Sequence, residues 1–351
     1  MAYKQGDEIY KYRLERRIGG GNFGEVWTAT DLAINAKGAV KILDQDQYTI
    51  DERLLEAQIG NRLNHPNVIN IKGADVINFN EKNIVVISMP YYEKGSVLSR
   101  LNGGNFLNLQ EFMQCLVDIL RGLEYLHENG YFHCDIKPGN ILVGDKGEYL
   151  LTDYGITSYS PNLESITPRG AYIPHIAPET VEANIYDVRT DIYQLGVTAY
   201  RLINGISEIK SEFIADRDSF QDKVLKGGVI SAAKFKAYIP HRIRRAIMKA
   251  ANIIPEERFQ TPLEMRRELE KIRLAGDCTV DCSGNLVLTD GKHTYRYEIV
   301  TMRKNCFNLA VFKKSIRTGR ETRCNKYCQI NLNQRQLDQA VQTLCLDIIS
   351  G

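Results

Sequence analysis

Hydrophobic positions along the chain switch between strand-like and helix-like periods, and the pattern changes character once, near residue 277. Tyr12–Ile18 and Glu25–Thr30 read as short strands on either side of a glycine-rich stretch, which predicts a hairpin. Gly38-Ala39-Val40-Lys41-Ile42-Leu43 and Asn83–Met89 are apolar along most of their length and predict further strands. Between them, Leu54, Leu55, Ile59 and Leu63 recur at helical spacing, so a helix over Ile50–Leu63 with that face inward is expected. Leu116, Leu120, Leu123 and Leu126 form a second apolar stripe in a helix over Leu109–Asn129, and Gly130 supplies its stop.

From Asp277 onward short strands dominate. Cys278–Cys282 and Leu286–Leu288 flank a turn at Ser283-Gly284-Asn285, Thr294–Val300 alternates well, and Leu309–Phe312 adds another strand. Asn333–Ile349 carries Leu337, Val341, Leu344 and Ile348 on one face and predicts an amphipathic helix. These elements imply an α+β chain with a small α+β domain at its C-terminal end.

Composition narrows the function only a little. The 351 residues suffice for a two-part unit and one small appendage, and no proline-rich or low-complexity linker separates them. A formal charge of +2 does not mark a generally cationic nucleic-acid binder. A basic run from Arg303 to Lys326, opposed by Glu321 alone, leaves nucleic acid or an acidic protein open as partners, with a solvated surface the preferred reading. The N-terminus has no apolar leader and no apolar run reaches membrane-spanning length, so a cytoplasmic, non-membrane protein is expected. Five of the eight cysteines lie between residues 278 and 328. Cys278 and Cys282 with Cys324 and Cys328 present four thiols for structural Zn2+, but buried free cysteines are preferred, because the spacing is wider than C-x-x-C.

The densest chemistry is His133-Cys134-Asp135-Ile136-Lys137-Pro138-Gly139-Asn140, with Asp153-Tyr154-Gly155 following a hairpin later. One loop thus carries a carboxylate, a lysine and an amide, and a second carboxylate follows. Transfer of a phosphoryl group from ATP to a hydroxyl requires such a set: an acid to orient the nucleophile, oxygen ligands for magnesium and a cation near the moving group. Upstream, Gly19-Gly20-Gly21-Asn22-Phe23-Gly24-Glu25-Val26 fits G-x-G-x-x-G-x-V and lies between strands. It is therefore a hairpin rather than the strand-to-helix turn of a dinucleotide fold.

In number and order these motifs resemble the eukaryotic-like Ser/Thr protein kinases over roughly residues 7–275. The resemblance implies a two-lobed α+β fold: an N-lobe over 7–89, a hinge over 90–95 and a C-lobe over 96–275, followed by the small α+β domain over 276–351. It implies ATP and Mg2+ as cofactors, with Mn2+ able to substitute. Asp135 and Lys137, with a Lys41–Glu56 ion pair, would be catalytic, and Asn140 and Asp153 would hold the metal. Glu52 stays open as the alternative partner of Lys41. The nucleotide would lie among Gly19, Gly21, Gly24, Val26, Ala39, Met89, Pro90, Tyr92 and Leu142. The hinge acceptor would be the Pro90 carbonyl and the donor the Tyr92 N–H, so a proline at 90 is tolerated. Asp191 would brace the catalytic loop, and Glu179 would pair with Arg258. The implied activity is phosphorylation of protein serine or threonine hydroxyls with autophosphorylation, and the C-terminal domain would regulate it or dock a substrate.

Three departures from the family pattern carry expectations of their own. Cys134 replaces the arginine that precedes the catalytic aspartate and commonly clamps a phosphorylated activation loop. Gly60 occupies a position where a bulky apolar residue is usual, so the active form of its helix is expected to lean on a ligand, a partner or the activation segment. Gly170–Glu179 does not align cleanly with the usual end of that segment, and the threonine that would orient Lys137 is missing there. Thr157, Ser158, Ser160, Ser165 and Thr167 are candidate phosphorylation sites. His133 reads as structural, packed near Tyr154, rather than as a base. A nucleotide-binding scaffold without catalysis and a small-molecule kinase are the rival readings.

Overall fold

A computed structural model describes residues 3–21, 24–44, 49–102, 107–153, 157–168, 172–204, 213–280 and 286–350. Asn22, Phe23, Tyr154, Gly155 and the Cys282–Asn285 turn named above lie outside these residues. The chain forms two compact units, one of residues 1–99 and 118–191, the other of residues 100–117 and 192–351.

The first unit opens with an antiparallel sheet in the order β1-β2-β3-β4-β6-β5. Its strands are β1 (Glu8–Ile9), β2 (Tyr12–Gly21), β3 (Gly24–Asp31), β4 (Ala36–Leu43), β5 (Gly73–Phe79) and β6 (Lys82–Met89). Ile9, Leu14, Trp27, Val40, Ile42, Ile84 and Val86 fill the core on one of its faces. Each such side chain contributes about 1.5–3 kcal/mol on full burial. Helix α1 (Ile50–Arg62) follows β4 and starts at a capping box: Thr49 accepts from the Glu52 N–H, and the Glu52 carboxylate accepts from the Thr49 N–H at 2.8 Å. That role commits Glu52 to the helix start.

The inward face of α1 differs from the expected leucine stripe. Arg53, Glu56, Ala57, Ile59 and Gly60 are buried, whereas Leu54 and Leu55 are only half-buried. Polar residues can turn inward because each meets a partner there, Arg53 donating to the Asn83 carbonyl at 3.0 Å and Glu56 pairing with Lys41.

Helix α2 (Val97–Asn102) precedes α3 (Leu109–Glu128), whose last part belongs to this unit. Leu120, Leu123 and Leu126 are fully buried, as the stripe predicts. Two short antiparallel pairs follow: β7 (Tyr131–Phe132) with β10 (Ser158–Tyr159), and β8 (Ile141–Val143) with β9 (Tyr149–Leu151). The activation segment returns to helix α4 (Pro178–Ala183).

In the second unit, α5 (Val188–Asn204, from Ile192 onward), α6 (Arg217–Leu225), α7 (His241–Ala250) and α8 (Pro262–Glu270) form the helical part. The C-terminal strands are β11 (Asp277–Val280), β12 (Leu286–Thr289), β13 (His293–Arg303), β14 (Cys306–Ser315), β15 (Glu321–Arg323) and β16 (Gln329–Leu332). They make one antiparallel sheet in the order β11-β12-β13-β14-β15, with β16 also pairing β14. Helix α9 (Gln334–Ser350) packs on it through Leu337, Leu344 and Ile348. Buried Asp277 fixes this sheet to the start of α3, accepting from the Leu109 N–H at 2.7 Å. The fold is therefore α+β and kinase-like: a β-rich N-terminal part, a mainly helical part and a small α+β appendage.

The cysteines of the appendage are placed individually. Cys278 is buried, and burial pushes its thiol up. Cys345 on α9 is also buried, which pushes it up to about 12. Cys328 Sγ accepts from the Val311 N–H and the Arg323 Nε–H, each at 3.4 Å. Among the described residues no three His, Cys, Asp or Glu side chains gather as a metal cage, and no helix is long and apolar enough to cross a membrane.

Candidate active site

The loop between β7 and β8 is shaped by one buried aspartate. Asp191 accepts the backbone N–H groups of His133 and Cys134, each at 3.0 Å, together with His127 Nε2 at 2.8 Å and the Tyr186 hydroxyl. Burial works against its charge, but these donors hold its carboxyl below the usual range. Cys134 is thereby held at φ 66°, a left-handed conformation uncommon for a residue with a Cβ. His133 is fully buried, burial lowers its pKa, and its Nδ1 accepts the Asp135 N–H at 3.2 Å. A buried imidazole that accepts a backbone N–H has a structural role, while the expected packing against Tyr154 lies outside the described residues.

That scaffold presents Asp135. Its Oδ2 accepts from Lys137 Nζ at 2.6 Å and from Asn140 Nδ2 at 2.9 Å. Its Oδ1 is buried and has no hydrogen-bond partner among the described residues. Burying such an acceptor costs about 1–3 kcal/mol, so an unsatisfied one points to something that binds there. Asn140 also donates to the Asp135 carbonyl at 3.0 Å, which leaves its amide oxygen as the remaining acceptor.

Lys41 on β4 sits 2.7 and 2.9 Å from the two Glu56 oxygens and 2.8 Å from Asp153 Oδ1. The Lys41–Glu56 pair is thus formed, and Glu52 is not the partner. One ammonium shared by two carboxylates splits their behaviour. Burial opposes charge on Lys41, but Asp153 and Glu56 together raise its pKa. Burial opposes charge on Asp153 also, yet Lys41 outweighs it and holds the carboxyl at about 2. Glu56 lies deeper, and burial pushes it up despite Lys41. Asp153 itself adopts φ 71°.

The glycine hairpin closes with Gly19 opposite Val26 and Gly21 opposite Gly24. Gly24 has φ 123°, and a Cβ there would lie 2.1 Å from the Ile42 carbonyl oxygen, so no other residue fits. Val26 pairs with Lys41 across β3 and β4, and Ala39 pairs with Met89 across β4 and β6. Pro90 follows β6, the Tyr92 carbonyl accepts the Gly95 N–H, and Leu142 bridges Ser96. Every candidate residue therefore falls in the first unit, around one strand-and-loop framework.

A family model for the protein kinase domain matches residues 12–262. The chain belongs to the protein kinase family. Among its relatives, the serine/threonine-protein kinase PrkC of Bacillus subtilis is 27% identical over 268 residues, covering 74% of this chain and 40% of PrkC. The serine/threonine-protein kinase dst1 of Dictyostelium discoideum is 33% identical over 199 residues, covering 56% of this chain and 26% of dst1. A probable serine/threonine-protein kinase of Clostridium acetobutylicum is 28% identical over 274 residues, or 75% of this chain and 40% of that protein. The chain thus spans less than half the length of these relatives, and its domain is of their eukaryotic-like Ser/Thr type.

Against that family pattern, the chain places beside Lys137 a residue that its motifs did not reveal. Lys137 Nζ lies 4.7 Å from the centre of the Tyr172 ring. A cation–π contact thus stands beside Lys137 where the usual threonine is missing. Tyr172 in turn meets His175, whose Nδ1 pairs with the Ile136 carbonyl at 2.9 Å. Nothing in the spacing of this irregular segment marks Tyr172; only its aromatic character next to a misaligned motif could have drawn attention.

Proposed function

We propose that this kinase transfers the γ-phosphoryl group of ATP, with Mg2+ or Mn2+, to serine and threonine hydroxyls of proteins. The observation that carries the reading is the buried, unpartnered Oδ1 of Asp135, beside an Oδ2 held by Lys137 and Asn140. An acceptor of that kind orients a substrate hydroxyl and takes up its proton as the new bond forms. Lys137 stands where negative charge moves during transfer, and Lys41, fixed by Glu56, is available to the α- and β-phosphates.

The donors fit a hard divalent cation. Asp153 offers the carboxylate oxygen not bonded to Lys41, and Asn140 offers its amide oxygen, so both ligands are oxygen. When bound, the cation would neutralise phosphate charge. Val26, Ala39 and Leu142 supply apolar walls for adenine, with Met89, the Pro90 carbonyl and the Tyr92 N–H along its edge.

Autophosphorylation is part of this reading. Thr157 and Ser160 are buried, and the Thr157 hydroxyl donates to the His133 carbonyl, so they are poor acceptors in the folded protein. Ser158 is half-buried and Ser165 and Thr167 are exposed, so these three remain the candidate sites. The C-terminal domain is a regulatory or substrate-docking module in the same reading.

The test is transfer of label from γ-labelled ATP with magnesium to a generic protein substrate, with Asp135→Ala and Asp153→Ala as controls. Label on serine or threonine that both variants lose is the expected result. ATP binding without transfer by the folded wild type would overturn it in favour of a scaffold, and label on a small molecule alone would point to a different substrate class.

A further inference from the structure

A groove of about 510 Å³ lies between α7 and α8, entirely within the second unit, and shares no lining residue with the phosphotransfer site. Its lining contains five cations and two carboxylates, a larger positive surplus than the +2 of the whole chain. Helical spacing produces the stripe. Arg242, Arg245 and Lys249 follow at three and four residues on α7, so they share one face. Arg244, on the same helix, donates instead to the carbonyls of Lys236, Ala237 and Ile239 and serves the preceding loop.

The two carboxylates are already engaged. Glu264 accepts from Lys249 at 2.8 Å and Glu268 from Lys271 at 2.9 Å. Arg242, Arg245 and Arg267 are exposed and make no ion pair within 4 Å among the described residues, although Glu268 lies near enough to Arg245 and Arg242 to feel their charge. Three exposed guanidinium groups not closed into ion pairs, on a lining where cations outnumber carboxylates, focus positive potential along the concavity. Their planar donor forks suit carboxylate or phosphate oxygens better than an ammonium would.

The floor argues for a peptide. Ala246 and Phe259 are buried at the base, and Leu263 is half-buried beside them, so an apolar side chain has somewhere to rest. Lys249 Nζ lies 4.1 Å from the centre of the Phe259 ring and covers the face on which a nucleic-acid base would stack. Glu264 and Glu268 interrupt the basic lining, which disfavours a continuous phosphodiester backbone but accommodates acidic residues set at intervals.

We propose that the α7–α8 groove is a docking site for an acidic peptide segment of a protein partner. Arg242, Arg245 and Arg267 bind its carboxylates, and the Phe259–Leu263 floor takes an adjacent apolar side chain. The site works by binding alone, so its test is independent of phosphotransfer.

The experiment is a fluorescence-anisotropy titration of a fluorescein-labelled glutamate-rich peptide containing leucines. It uses the full chain, the triple variant Arg242→Glu/Arg245→Glu/Arg267→Glu and the milder triple glutamine variant. Saturable binding that weakens with added salt, and falls on the order of tenfold or more in both variants, is expected from the loss of three exposed charge contacts. Because all three arginines are exposed, the thermal melts should match wild type. If the glutamate variant does not fold, the glutamine variant decides alone. No saturable binding by wild type, or equal binding by the folded variants, overturns the proposal. So does tighter binding of a single-stranded oligonucleotide through the same three arginines.

Discussion

Gly60 of α1 lies directly against Ile71. A Cβ built on Gly60 would stand 2.4 Å from Ile71 Cδ1 and 2.6 Å from Cγ1, and Ile71 is itself buried. The bulky residue usual at position 60 is therefore replaced by a side chain from the facing segment. The helix needs no outside contact to fill a void there, and the Lys41–Glu56 pair is formed with Gly60 in place. Replacing a mid-helix glycine by alanine ordinarily stabilises by roughly 1 kcal/mol. Here overpacking should win, with a cost of about 1–3 kcal/mol. Urea denaturation of Gly60→Ala should show the loss, and Ile71→Val in the same chain should recover part of it. A Gly60→Ala protein more stable than wild type would remove this account.

Lys41 and Asp153 predict an acid-sensitive contribution to stability. Asp153 is held at about 2, against an ordinary 3.8, because the Lys41 attraction outweighs burial. A carboxyl lowered on folding stabilises fully above its unfolded pKa and loses that contribution as the pH falls through its folded one. The window is therefore between about pH 4 and pH 2, and the amount is about 2 kcal/mol. Glu56 runs the other way: raised on folding, its contribution is present in acid and fades as the pH rises through its folded pKa. Denaturation curves for wild type and Asp153→Asn should therefore converge as the pH drops through that window. A constant difference across it would show that Lys41 does not hold Asp153 in its charged form.

Tyr172 should position Lys137 through its ring rather than its hydroxyl, since the ring centre lies 4.7 Å from Nζ. A cation–π contact of about 0.5–2 kcal/mol corresponds to roughly a 2- to 30-fold effect on rate. Tyr172→Phe should retain near-normal kcat, whereas Tyr172→Leu should lower kcat by that factor and leave the KM for ATP unchanged. Equal losses in both variants would assign the effect to the hydroxyl or to packing of the loop.

The residues that could be read from sequence are those fixed by short motifs. Gly24, Asp135, Asn140 and Asp153 stand in motifs whose number and order carry the family resemblance, and that resemblance, rather than any one spacing, singles them out. The inward face of α1 could not be read this way, because Arg53 and Glu56 are buried by partners on other strands, Asn83 and Lys41. Apolar periodicity sees only the leucines. The family pattern favours Glu56 as the partner of Lys41 and leaves Glu52 as the alternative, and the Thr49 capping box engages Glu52 elsewhere. Strands β15 and β16 were missed for a related reason: both are short and largely exposed, so they carry little of the alternation that marks a half-buried strand. Tyr172 depends on a fold in the activation segment that no local pattern encodes.

Cys134 offers the last prediction, since it asks whether the arginine usual at this position could be restored. Its side chain is fully buried between Phe132 and Tyr186, with Leu163, Ile166 and Val188 packed around them. Ile166 and Tyr186 also exchange two backbone hydrogen bonds of 2.9 Å, so the activation segment is attached here by apolar packing and a strand bridge. The buried carboxylate that braces the loop, Asp191, already accepts from His133, Cys134, His127 and Tyr186. A guanidinium at position 134 would enter an apolar cluster beside an acceptor with little capacity left, a situation costing several kcal/mol per buried charge. Cys134→Arg should therefore lose about 3 kcal/mol or more, or fail to fold. Cys134→Ala, which removes a small side chain and its weak thiol hydrogen bond to the Phe132 carbonyl, should lose about 1 kcal/mol. The comparison is read from denaturation midpoints and from protease cleavage between Leu163 and Thr167. A Cys134→Arg protein with wild-type stability and protection would mean that the arginine finds a partner or reaches solvent, and that apolar packing does not hold the segment in place.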